Sequence, residues 1–344
     1  MKTPKHTSLE VAQLAQVSQA TVSRALRDSP LVKPETRARI QEIAREMHYR
    51  TDRNAAGLRT RRSRTLALLL FEESPEEAQI NPFFLSMLGH IARAAARRSF
   101  DLLMSFQQLS DDWHTDYELS NRADGMILLG YGDYLKYAER LRHLAETDSH
   151  FVIWGPVVEN LPGHYLCCDN AQGARLATEH LVKQGRRRIA FVGGSSAGSP
   201  EFQLRHRGFV EVLSAAGLGP DPRLHSEAQS LEADGYRSGI ALLDSGIPFD
   251  AVFAASDLIA MGVIHALQDR GKSVPQDIAV VGFDDIGSAA DFNPPLTTVR
   301  QDTRLAGELL VENLICLIDG KTAGSTLIAP ELVVRASCGA RLAS

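Results

Sequence analysis

TSLEVAQLAQVSQATVSRAL, residues 7–26, reads as two short helices separated by a tight turn. Thr7-Ser8-Leu9-Glu10 has the S/T-x-x-E spacing of a capping box and predicts a helix start at Thr7. Val11, Leu14 and Ala15 then share one face at i, i+3 and i+4. Val17 and Ser18 interrupt that pattern. Ser18 is a good N-cap for a second helix, Gln19 to about Arg27, with Val22 and Leu26 turned inward. A third helix is expected after Pro34, with Ile40, Ile43, Ala44 and Met47 in register. Two short helices joined by a turn and braced by a third make a helix-turn-helix.

The second helix presents Gln19, Ala20, Ser23, Arg24 and Arg27 on its outer face. Arg grips guanine O6 and N7 with two bonds, Gln pairs with adenine, and Ala touches a thymine methyl. The hydroxyls of Ser18, Thr21 and Ser23 suit phosphate oxygens. A small three-helix cap with a merely solvated face is the plain alternative, and the next segment weighs against it. Residues 52–64, DRNAAGLRTRRSR, are Arg-rich yet carry a lone Leu58 in weakly helical sequence. Gly57 costs such a helix on the order of 1 kcal/mol relative to Ala. A short helix of this kind is expected to form only when DNA neutralises its arginines and Leu58 wedges into a base step.

Charge supports that division. Residues 1–65 hold 14 Lys and Arg against 6 Asp and Glu, while the whole chain of 344 residues carries a net charge of −5. A basic module on an acidic body meets a polyanion at one end only.

From Thr65 onward, apolar runs alternate with amphipathic stretches. Strands are expected at 66–70, 102–105, 125–129, 151–154, 165–168, 189–192, 251–254 and 278–281, with helices such as 171–183, 207–216 and 258–269 between them. Continuous Val/Ile/Leu strands separated by helices predict parallel sheets covered on both faces. There are too many strands for one small sheet. Two doubly wound sheets fit better, with a ligand crevice at the carboxyl ends of their strands.

The stretches TSLEVAQLAQVSQATVSRAL, VKPETRARIQEIAREMHYR and NAAGLRTRRSRTL together resemble the lactose/galactose repressor family of bacterial transcription regulators. NPFF at 81–84, DNAQGARLATEHLVKQGRRRIAFVGG at 169–194, FAASDLIAMG at 253–262, VPQDIAVVGFDDI at 274–286 and FNPPLTTVRQD at 292–302 extend the resemblance over essentially the whole chain. It implies an α/β fold: a small all-α helix-turn-helix headpiece and a periplasmic-binding-protein-like core of two subdomains. The expected boundaries are residues 1–50 for the headpiece and 51–63 for a hinge helix. Residues 64–161 with 294–321 would form one subdomain, and 162–293 with 322–344 the other.

The same resemblance assigns base reading to Gln19, Ala20 and Arg24, and minor-groove insertion to Leu58, with Asn54, Ala55 and Arg59 as further hinge contacts. It places Phe83 and Phe84 on an apolar wall and makes Arg205 and Asp284 groups that grip an effector. Trp154, Ser256 and Asp257 sit at strand ends and join the expected effector residues. Each has a plainer alternative: Asp284 or Asp285 as a helix cap, Arg205 as a surface residue, Trp154 as core. The chain departs from the family pattern in four places. Gln16 stands where the turn often has Gly, Lys33 where a Ser usually caps the third helix, and Thr51 where a Pro is common. Ser230 stands where an aromatic often faces the ligand, which leaves room for a larger sugar rather than a flat purine.

The expected partners are therefore double-stranded, pseudo-palindromic operator DNA, a second copy of the chain and a small-molecule effector. A sugar is the expected effector, and a purine or nucleoside the alternative. A solute-binding protein with a basic tail is a second class of reading, and a Rossmann-like enzyme a third. H-E-x-x-H does not occur, and the four cysteines have no metal-ligand spacing, so no catalytic residue, metal or cofactor is expected. The N-terminus lacks an apolar signal segment and no run is long enough to span a bilayer, which points to a cytoplasmic protein.

Overall fold

The computed structural model describes residues 6–26, 28–49, 62–71, 80–130, 137–195 and 199–340. The chain divides into two compact units, Met1–Ser63 and Arg64–Ser344.

The first unit contains α1 (Ser8–Leu14), α2 (Gln19–Ala25) and α3 (Pro34–Glu46). The capping box forms in both directions. Glu10 N donates to Thr7 Oγ1 at 3.4 Å, and Thr7 N donates to Glu10 Oε2 at 2.8 Å. The Ser18 hydroxyl caps α2 by accepting from Thr21 N at 3.2 Å. Gln16, between the helices, has φ 49°, so a glutamine holds the left-handed conformation that glycine adopts freely. Lys33 makes no side-chain cap for α3. Instead α3 is tied to the turn after α2, where Arg37 and Gln41 both donate to Asp28.

The small core holds Val11, Ala12, Ala15, Val22, Ala25, Val32, Ile40 and Ala44. Leu14, expected inward, is 62% exposed. At 100° per residue Ala12 sits beside Val11 and Ala15, while Leu14 falls off the opposite flank of that face.

The second unit is built on two sheets. One has the order β11-β5-β4-β3-β1-β2, from β1 (Thr65–Leu70), β2 (Asp101–Phe106), β3 (Met126–Leu129), β4 (Phe151–Trp154), β5 (His164–Cys168) and β11 (Thr326–Ile328). The other has the order β12-β10-β9-β8-β6-β7, from β6 (Ile189–Val192), β7 (His225–Ser226), β8 (Ala251–Ala254), β9 (Ala279–Asp284), β10 (Thr297–Arg300) and β12 (Glu331–Val333). Every pairing is parallel except that of β10 with β12. Each sheet therefore begins as a doubly wound unit whose strand order reverses next to its first strand.

Both faces of each sheet are covered, which is why the strands read as continuous apolar runs. In β1, Leu66, Leu68 and Leu70 pack toward α4 (Pro82–Arg97), while Ala67 and Leu69 join Trp113, Tyr117 and α5 (Ala138–Glu146) on the other side. The second sheet carries α6 (Asn170–Lys183) and α7 (Pro200–Ala215), together with the close pair α8 (Glu232–Asp244) and α9 (Asp257–Asp269). Gly235 and Gly262 make that approach possible. A Cβ on either would run into the backbone of the opposite helix, at Ile259 and Glu232 respectively.

The chain crosses between the lobes three times, each time just past the carboxyl end of a strand. It leaves the first sheet after β5, returns between β10 and α11 (Thr303–Ile318), and leaves again between β11 and β12. These crossings correct the expected subdomain limits. Residues 164–168 and 326–328 pair in the first sheet rather than the second, and 297–300 pair in the second rather than the first. The crossings must lie past the last paired residue, because a strand's backbone groups are satisfied only inside its own ladder. Two of them are joined directly, with Asp169 N donating to Ile328 O at 2.9 Å. Among the described residues, no helix is long and apolar enough to cross a membrane.

Candidate functional site

In the first unit Ser18, Gln19, Ala20 and Arg24 stand exposed along α2, and Thr21 and Ser23 are half-buried beside them. The Ser18 and Thr21 hydroxyls are 2.9 Å apart, so both sit where α2 begins. Gln19 Nε2 donates to Ser8 Oγ at 2.6 Å, which holds this side chain along the start of α1. Buried Val22 and Ala25 fix the opposite face of α2, leaving a polar stripe of hydroxyls, an amide and a guanidinium pointing outward. Arg27, Asn54, Ala55, Leu58 and Arg59 lie outside the described residues.

The second unit has a cavity of about 160 Å³ where its lobes meet. Phe83 and Ser86 of α4 line it from the first lobe. Asp284, Asp285, Ile286 and Gly287 line it from the second, and the crossing segment 300–304 closes it. Behind Phe83 is an aromatic group, with Phe84 edge-on at 5.1 Å between ring centroids and Trp154 tilted at 6.2 Å. Proline and asparagine place this wall. Asn81 caps α4 by accepting from Phe83 N at 2.9 Å, and Pro82 occupies the first turn, where its missing N–H is no loss.

Asp284 closes β9, and its carboxylate accepts from Gln301 Nε2 at 2.7 Å. Arg205 lies beneath it, 3.6 Å from Asp284 Oδ1, with both side chains essentially out of solvent. Arg205 is held on three further sides: it donates from Nε to Asn170 Oδ1 at 2.8 Å, donates from Nη1 to Ala255 O, and lies 3.8 Å from the Phe283 ring centroid. It is no surface residue. Asp284 and Asp285 have φ 120° and φ 55°, two successive non-glycine residues in the left-handed region. Such strain persists only where surrounding contacts impose it, and it concentrates at ligand sites. Asp285 supplies part of that constraint, accepting from Arg300 Nε at 2.7 Å and Arg335 Nη2 at 2.6 Å. Neither aspartate caps α10 (Gly287–Asp291), so the helix-cap alternative is not realised.

Phe83 and Asp284 thus line the cavity, with Phe84, Trp154 and Arg205 buried directly behind them. Ser256 and Asp257 do other work. The Ser256 hydroxyl caps α9, accepting from Ile259 N at 3.3 Å. Asp257 is fully buried. One of its oxygens accepts from Ile286 N at 2.9 Å and the other from the Thr298 hydroxyl. Burial, helped by the nearby charge of Asp284, pushes the Asp257 carboxyl well above the usual aspartate range. Its position past β8 suggested a ligand group, but it turns inward and pins the Asp284–Ile286 segment.

Sequence reasoning missed Gln301, Ser86, Thr303 and Asn81. Gln301 comes directly after β10, whose last residue Arg300 pairs with Asp284 at the end of β9, so the strand-end rule would have found it had residues 297–300 been read as a strand. Cys167 and Cys168 are buried, and burial raises both thiols, Cys168 to about 12. Among the described residues, no group of three His, Cys, Asp or Glu could hold a metal ion.

A polar helix-turn-helix face on one unit and a cavity between two doubly wound lobes on the other define a class. This is a DNA-binding transcriptional regulator with a periplasmic-binding-protein-like effector core. Residues 8–52 match the model of bacterial regulatory proteins, lacI family, and residues 178–338 match a periplasmic binding protein-like domain. The HTH-type transcriptional regulator CelR of Thermobifida fusca is 32% identical over 95% of this chain and 96% of its own. The chain belongs to the lacI family. Among solved structures, a transcriptional regulator CelR–cellobiose complex matches at 31% identity and TM-score 0.70, covering 96% of this chain and 99% of that one. A Lac repressor dimer bound to operator and the anti-inducer ONPF matches at 25% identity and TM-score 0.82, covering 98% and 100%.

Proposed function

We propose that this regulator is a homodimeric repressor whose grip on a pseudo-palindromic operator is set by a sugar in the cleft between its lobes. The observation that carries this reading is the buried Arg205–Asp284 pair facing the Phe83–Trp154 aromatics across one cavity. Asp284 accepts from ligand hydroxyls while Arg205 and Gln301 hold its carboxylate in place. Phe83 offers the flat apolar surface on which a pyranose ring packs. Ser230, small where a bulky ring would narrow the cleft, favours a ligand of more than one sugar unit. The similar structure solved as a CelR–cellobiose complex points to the same class of ligand.

Ligand and DNA are then linked. A sugar shifts operator affinity only by its unequal affinity for the two lobe arrangements. The helix-turn-helix of each copy reads one half-site, with Gln19, Ala20 and Arg24 on base edges and Ser18, Thr21 and Ser23 on the backbone. Arg27, Asn54, Ala55, Leu58 and Arg59 extend this contact, Leu58 as the minor-groove wedge. The subdomains follow the crossings: residues 64–168 with 302–328 in one lobe, and 170–300 with 331–340 in the other.

Isothermal titration calorimetry with cellobiose, other disaccharides, monosaccharides, purines and nucleosides tests the effector. Binding of a disaccharide by the wild-type chain and its loss in Asp284→Asn is the expected result. Binding confined to purines or nucleosides overturns the sugar.

A further inference from the structure

Three polar side chains run in series across the cleft. Asn81, at the start of α4 in the first lobe, accepts from Phe83 N at 2.9 Å through Oδ1. That bond decides which end of the amide faces the second lobe. The amide nitrogen therefore donates across the cleft to Ser230 Oγ at 3.1 Å. Ser230 stands just before α8, and its hydroxyl donates onward to Ser256 Oγ at 2.9 Å. Ser256 caps α9, accepting from Ile259 N at 3.3 Å. The amino ends of α4 and α9, on opposite lobes, are thus joined through one serine hydroxyl.

We propose that the Asn81–Ser230–Ser256 series is a latch that ties the two lobes together and yields to the hydroxyls of the effector. The second half of this statement rests on the sugar reading of the cleft; the first does not. A hydroxyl donates one bond and accepts up to two, so Ser230 serves both neighbours without leaving either short. A polyhydroxylated ligand offers the same donors and acceptors. It can take over the Asn81 amide or the Ser230 hydroxyl without stranding a polar group, and stranding is what makes such bonds hard to break. Ser230 does this in a position where an aromatic ring would have no hydroxyl to offer.

Hydrogen exchange of the ligand-free, full-length chain, read by mass spectrometry, tests the latch. Ser230→Ala removes both bonds while leaving the caps of α4 and α9 intact. Exchange in the first turns of both helices rises about 2- to 10-fold, the range expected for one net hydrogen bond, and Ser230→Thr restores it. Asn81→Ser keeps a capping oxygen but is too short to span the cleft. It loosens the first turn of α9 and the Ser230 loop in the same way. Unchanged exchange in α4 on Ser230→Ala overturns the latch.

Cellobiose is the probe for the second half: at saturation it should abolish the difference in exchange between wild type and Ser230→Ala, and a difference that persists overturns the yielding of the latch to the effector. Cellobiose binding to wild type with no exchange change in Ser230→Ala overturns the latch and leaves the sugar reading standing. An exchange change without binding of any sugar supports the latch and overturns the sugar reading.

Discussion

The guanidinium of Arg205 stands 3.6 Å from the carboxylate of Asp284, and both side chains are shielded from water by Phe202, Phe283 and the crossing segment at Gln301. Removing one member of such a pair leaves the other charged and buried. Asp284→Asn preserves shape and loses charge. It is expected to lower the stability of the second unit by about 3 kcal/mol, measured by urea denaturation followed by tryptophan fluorescence. A loss near zero would mean that Arg205 is neutralised from elsewhere.

Asp257 makes stability depend on pH. Its carboxyl keeps its proton in the folded chain well above the usual aspartate value, because burial and the charge of Asp284 disfavour ionisation. Between those two values the folded state binds more protons than the unfolded one, so stability falls as pH rises through this window. Asp257→Asn should remain folded, its amide oxygen accepting from Ile286 N and its nitrogen donating to Thr298. It should flatten the decline above about pH 4 in denaturation curves. An unaltered slope would assign the decline to other groups.

Gln16 lies exposed in the turn of the helix pair with φ 49°. Gln16→Gly relieves a left-handed side chain and is expected to stabilise the first unit by about 0.5–1 kcal/mol, after the entropy that glycine adds to the unfolded chain. Slower hydrogen exchange in α2 of the full-length chain is the readout. Faster exchange there would show that the glutamine side chain makes a stabilising contact within the helix pair.

Arg24→Ala should cost about 1–3 kcal/mol at one base position and relax the sequence preference there. Arg59→Ala should weaken all sequences alike and reduce the salt dependence of binding. Competition binding with operator variants separates the two. Uniform loss in both variants would move Arg24 from base reading to backbone contact.

The first unit was legible because its signals are local. A capping box, an N-cap serine and a proline at the first helical position act within four residues of where they stand. The strands from β1 to β6, with β8 and β9, were legible because sheets covered on both faces demand unbroken apolar runs. The strands that escaped notice are β7, β10, β11 and β12, of two to four residues each, which lie at or beside sheet edges. β7, β11 and β12 bury too few residues to leave a pattern, and β10 buries Thr297, Thr298 and Val299, of which only one is apolar, so the crossings that depend on these strands were misplaced with them. At the site, strand-end position found Asp284, and family resemblance found Arg205 and Phe83. Position alone could not say which way a side chain turns, so Asp257, buried under the segment it pins, read like a ligand group. Asn81 and Gln301 come from loops whose role exists only once both lobes are assembled.

The central claim is that a ligand between Phe83 and Asp284 controls the grip of the helix-turn-helix on DNA. The direct measurement is operator affinity by fluorescence anisotropy, with and without cellobiose, in wild type and in Asp284→Asn. A coupling free energy of about 1–3 kcal/mol, or roughly 5- to 150-fold in affinity, is expected for wild type and none for the variant. Equal shifts in both proteins, or wild-type affinity unmoved by cellobiose and every other sugar tried, would contradict it.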